Sequence, residues 1–145
     1  MKRIIFLFIF IPCLLFSAQK EFYGITVVGT ETQIYHICNV LTCLMVVTDS
    51  GGYDYFNTIK NYGLLKIVCY FTNDQTCGYN YKGERTIYVN FFFCQKYNEL
   101  VRNIVHESTH VLLRNDKNDE SYREILASGF GADAQDDYIS VFGRN

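Results

Sequence analysis

His106-Glu107-Ser108-Thr109-His110 sets two histidines four residues apart, with a glutamate directly after the first. An α-helix rises about 1.5 Å and turns about 100° per residue, so positions i and i+4 share a face and both imidazoles point the same way. This is the H-E-x-x-H spacing of a zinc site, in which the rings bind the metal and the carboxylate beside them takes a proton from water. Zinc held by three protein ligands keeps its fourth position for that water and lowers its pKa to about 7. The reaction implied is hydrolysis of a peptide bond, with Glu107 as general base. The competing reading is two half-exposed histidines on an amphipathic helix that holds no metal. The third histidine, His36, lies in the apolar run Ile34-Tyr35-His36-Ile37 and has no partner at ligand spacing.

Around the motif the period is helical over residues 95–114. Leu100, Ile104 and Val111, with Val101, Val105 and Leu112 beside them, form an apolar stripe for the core and leave His106 and His110 to face a cleft. Upstream, the β-branched and aromatic content of 22–28, 33–48, 64–72, 79–82 and 85–93 reads as strands, with a short helix inside 53–62. Residues 85–92 are expected to be the strand nearest the site, with an edge able to pair an extended substrate. Downstream, Asn115 to Asp119 is turn chemistry, and Asp119 or Ser121 is placed to cap a helix to about Ser128, ahead of a short last helix. The fold class expected is α+β and zincin-like: an amino-terminal twisted sheet, the active-site helix, and carboxy-terminal helices closing the cleft.

Residues 1–18 carry Lys2 and Arg3, an apolar run from Ile4 to Phe16, then Ser17 and Ala18, the pattern of a secretory signal peptide. The run is short for a membrane span and nothing later approaches about 18 apolar residues, so the expected product is a secreted or periplasmic monomer without stable membrane insertion. Cleavage removes two basic residues and none of the 15 acidic ones. The chain offers no basic patch for nucleic acid. Residues 19–145 are long enough for one domain with its own core. They contain five cysteines, Cys38, Cys43, Cys69, Cys77 and Cys94, for which an oxidising compartment predicts two disulfides and one leftover thiol.

No histidine follows His110, so a third zinc ligand has to be a carboxylate. Asp116, Asp119, Glu120, Glu124, Asp133, Asp136 and Asp137 are the candidates. The motif, followed by Asp119 and Tyr122, resembles the aspzincin metallopeptidases, the deuterolysin and peptidyl-Lys metallopeptidase family. Ala134-Gln135-Asp136-Asp137-Tyr138 is similar to that family's Ala-Asp-x-Tyr stretch near the specificity pocket. The resemblance implies a secreted zinc metalloendopeptidase acting on protein or peptide substrates. It assigns one Zn2+ to His106, His110 and Asp119, proton transfer to Glu107, stabilisation of the tetrahedral intermediate to Tyr122, and attraction of a basic side chain to Asp136. The alternative enzyme is a gluzincin, with Glu124 on the next helix as third ligand. A different class, a disulfide-stabilised binding or inhibitory module, would use the same scaffold without catalysis.

Overall fold

The computed structural model describes residues 17–144; the expected signal peptide falls almost wholly outside them. The elements are β1 (Ala18–Phe22), β2 (Ile25–Gly29), α1 (Glu31–Leu44), α2 (Tyr55–Asn61), β3 (Lys66–Tyr70), β4 (Gly78–Tyr79), β5 (Thr86–Asn90), α3 (Tyr97–Leu112) and α4 (Glu120–Phe142). A 3-10 turn, Leu113–Asn115, continues α3. The result is a mixed α+β fold with four helices and one five-stranded sheet in the order β1-β2-β3-β5-β4.

The sheet is parallel in its centre, where β3 runs beside both β2 and β5, and antiparallel at both edges. The β1–β2 hairpin turns on Tyr23 and Gly24, both at positive φ, the two-residue geometry whose twist matches that of the strands. Ile25, Val27, Ile67, Ile87 and Val89 alternate into a core shared with Ile37 and Leu41 of α1 and Leu100, Ile104 and Val111 of α3. The strand expected at the sheet edge, residues 85–92, is instead internal, because β4 adds to its outer side. The edge is the two-residue β4.

Two further expectations are corrected. Of residues 33–48, read as strands, 33–44 lie in helix α1: Thr30 Oγ1 accepts from Gln33 N–H at 3.3 Å while Gln33 Oε1 accepts from Thr30 N–H at 2.8 Å, a reciprocal cap that satisfies two free donors. Ile34, Ile37, Cys38, Leu41 and Leu44 then bury at helical spacing. The carboxy-terminal region is one helix rather than two, passing through Gly129 and Gly131 without a break.

The two expected disulfides are absent among the described residues, where all five cysteines are free thiols. Cys38, Cys69 and Cys94 are buried in the apolar cluster, where a thiol packs as a small hydrophobe. His36 is half-buried on α1, with Nδ1 3.2 Å from the Tyr97 hydroxyl, and makes no approach to the other histidines. No helix among the described residues is long and apolar enough to cross a membrane.

Candidate metal centre

Helix α3 is two-faced as its sequence requires. Leu100, Val101, Ile104, Val105 and Val111 are buried, Leu112 is exposed at the helix end, and His106 and His110 sit half-buried on the flank. Their ring centroids are 5.0 Å apart. Glu107, only 5 % exposed, has Oε1 3.9 Å from His106 Nε2.

The third donor comes from α4. Glu124 Oε1 lies 3.4 Å from His106 Nε2, and Glu124 Oε2 lies 3.3 Å from His110 Nε2. These three residues are a group able to share one ion, each offering a ligand atom within 4.8 Å of the others. Two imidazoles and a carboxylate are a donor set that zinc accepts, and tetrahedral zinc with bonds of about 2.0–2.1 Å places neighbouring donors roughly 3.4 Å apart, about the separation of each imidazole from its nearer Glu124 oxygen.

Glu124 reaches the histidines because α4 packs directly on α3. Ala127, Gly131, Ala134 and Tyr138 are the buried stripe of α4, and Glu124 stands three residues ahead of Ala127 on the same face. A Cβ on Gly131 would meet Arg102 O at 2.9 Å and His106 Cβ at 3.1 Å. The absent side chain is what allows α4 to cross α3 at the turn carrying the first histidine.

Asp119 stands elsewhere. It is exposed and caps α4, its Oδ1 accepting from Tyr122 N–H at 2.8 Å. A carboxylate engaged on the free amides of a helix start satisfies a local need, and Asp119 is not among the converging donors. Tyr122 is 46 % exposed and lines neither cavity at the histidines. Asp136 lines a separate acidic cavity of about 400 Å³ with Asp133 and Asp137, where Tyr55 donates to Asp137 Oδ2 at 2.6 Å. Of the expected site residues, His106, Glu107 and His110 are therefore together, and Asp119, Tyr122 and Asp136 are apart from them.

Two cavities flank the centre. One, of about 260 Å³, is lined by Gly78, Tyr79 and Asn80 of the β4 edge and by Lys82, Arg114 and Arg123. The other, of about 770 Å³, is bordered by Cys77, Phe93, Cys94, Arg102 and Gln135. His106, Glu107, Glu124 and Gly78 line both, so the donors stand where a groove would continue to either side. Arg123 was not singled out by the sequence reading. Its side chain is buried, ion-paired to Glu120, and its Nε has no partner.

Burial, helped by the negative charge of Glu124, pushes the Glu107 carboxyl up to about 8. Burial also holds His106 below its ordinary value, with the Glu124 carboxylate opposing and His110 and Arg102 adding to the depression. A neutral imidazole is the form that binds a metal. Comparison with protein families, curated proteins and solved structures finds no match to this chain.

Proposed function

We propose that this chain is an exported zinc-dependent hydrolase of peptide bonds, with His106, His110 and Glu124 holding the metal and Glu107 acting as general base. The observation that carries the reading is the convergence of His106 Nε2, His110 Nε2 and the Glu124 carboxylate beside a nearly buried Glu107. A zinc ion held there supplies Lewis acidity and lowers the pKa of a water it binds to about 7. Glu107 would be the residue that takes a proton from water and passes it to the leaving amine. A carboxylate whose proton affinity is raised by burial is suited to both transfers near neutral pH.

The third ligand on a helix after the motif is the gluzincin arrangement, and it takes the place of the aspzincin ligand set built on Asp119. A mixed sheet with an antiparallel edge strand at the site, a helix bearing the motif below it, and a carboxy-terminal helix supplying the last donor also suits a zincin-like architecture. The cavities on both sides favour internal cleavage of an extended chain, which β4 can hold by its outward backbone groups.

The test is direct. Purified protein should bind one zinc per chain and cleave an unfolded substrate such as casein, with chelation abolishing turnover and zinc restoring it. A protein that binds no zinc at micromolar concentration would remove the basis of the proposal.

A further inference from the structure

The turn between β5 and α3 meets the loop before β4 at two cysteines whose backbones are anchored on one residue. Asn90 N–H donates to Cys77 O at 2.8 Å, and Asn90 O accepts from Cys94 N–H at 3.1 Å. The Asn103 amide of α3 donates to Cys77 O and also to Cys94 Sγ, at 3.2 Å. Cys94 Sγ lies 3.8 Å from Cys77 O. Cys77 is exposed and Cys94 is 2 % exposed.

We propose that Cys77 and Cys94 are joined by a disulfide in the oxidised protein, stapling the edge strand that walls the metal centre to the turn that launches α3. Asn90 and Asn103 hold both cysteines, so the bridge would join two segments that the hydrogen bonds already bring together. The inference stands independently of zinc binding and of hydrolysis.

The oxidant required is an external disulfide, small molecule or exchange protein. The exposed Cys77 thiolate attacks it, forming a mixed disulfide and releasing one thiolate. Cys94 then loses its proton and attacks the Cys77 sulfur, releasing the second. Two protein thiols are oxidised by two electrons, and the external disulfide is reduced to two thiols that carry off the two protons. Cys38 and Cys69 are buried, and neither meets an oxidant while the domain is folded.

The consequence falls on the cleft. Cys77 precedes Gly78, Tyr79 and Asn80, which wall the smaller cavity, and Cys77 and Cys94 both border the larger one. A Cβ on Gly78 would meet Asn103 Oδ1 and Tyr88 O at 2.6 Å, so the strand is already seated tightly where the bridge would hold it.

The experiment equilibrates the folded full chain with glutathione disulfide, then alkylates it in denaturant without reductant, and maps its proteolytic peptides by mass. The expected result is a linked pair containing Cys77 and Cys94, with Cys38, Cys43 and Cys69 alkylated. Reducing the bridge should lower Tm by about 10 °C and speed amide exchange in residues 78–80, and Cys77→Ser should show both effects without oxidant. Separate alkylation of Cys77 and Cys94, or a bridge from either to another cysteine, would overturn the proposal. So would a bridge whose reduction leaves the exchange at residues 78–80 unchanged, since the staple would then hold nothing.

Discussion

Helices α3 and α4 each bring part of the candidate metal centre, and they are built on opposite principles. Helix α3 buries large aliphatic side chains against the sheet, so its histidines are placed by the helical repeat alone. Helix α4 buries Ala127, Gly131 and Ala134, which contribute little apolar area and instead allow two backbones to approach. The two imidazoles depend on a spacing within one helix. The carboxylate depends on a distance between two, set by the absent side chain of Gly131, seven positions along from it.

The largest expected effect tests the shared chemistry. Glu107→Gln keeps both imidazoles and Glu124, so it should retain one zinc and lose roughly 10²- to 10⁴-fold in kcat, the range of a missing general base. Unchanged peptidase kinetics in this variant would leave the centre without its base. Next comes the contribution of α4 to the metal. Glu124→Ala should weaken zinc by more than about 100-fold, beyond the cost of a lost outer partner, as read by competition with a chromogenic chelator. Retention of full affinity there, with loss in Asp119→Ala, would return the ligand role to the capping residue.

The helix crossing can be broken without touching a donor. Gly131→Val should cost about 1–3 kcal/mol in urea unfolding, as overpacking does, and should weaken zinc as Glu124 is carried away from the histidines. Wild-type affinity would show that Glu124 reaches the rings without the close crossing. Smaller still, Asp119→Ala should lose about 1 kcal/mol of stability, the value of a helix cap, while keeping its zinc equivalent. The mildest change sharpens the contrast between the two glycines of α4. A Cβ at Gly129 meets nothing within 4 Å, so Gly129→Ala should gain about 0.5–1 kcal/mol, opposite in sign to any side chain added at Gly131. A loss at both positions would mean that α4 needs flexibility rather than closeness.

The same contrast explains what could be read in the sequence. His106, Glu107 and His110 were legible because their geometry follows from i, i+4 spacing, and the core stripe of α3 likewise except at Leu112. Glu124 was visible only as an alternative. Its signal lay in the recurrence of Ala127, Gly131, Ala134 and Tyr138, but the two glycines read as an interruption of the helix. Asp119 was rightly placed as a possible cap, and that local use competes with a role as ligand. Helix α1 was missed because the apolar and β-branched content of residues 33–48 outweighed the Thr30–Gln33 cap and the period of Ile34, Ile37, Leu41 and Leu44. The hairpin of β4 and β5 was read correctly, whereas its order in the sheet depends on long-range pairing with β3 that no local pattern carries.

That order also bears on how fast the chain folds. The two edges are hairpins of sequence neighbours, β1 with β2 and β4 with β5, and α3 is followed directly by the α4 it packs against. Such local contacts form early, whereas the parallel pairing of β2 with β3 must first close a loop that contains both α1 and α2. The slow step expected is therefore the docking of the β1–β2 hairpin and α1 onto β3, after the half that carries the histidines and Glu124 has already gathered. Until that step is complete, the side of β3 that pairs with β2 stays open, and a newly made chain is most exposed to aggregation through its centre rather than through its short β4 edge.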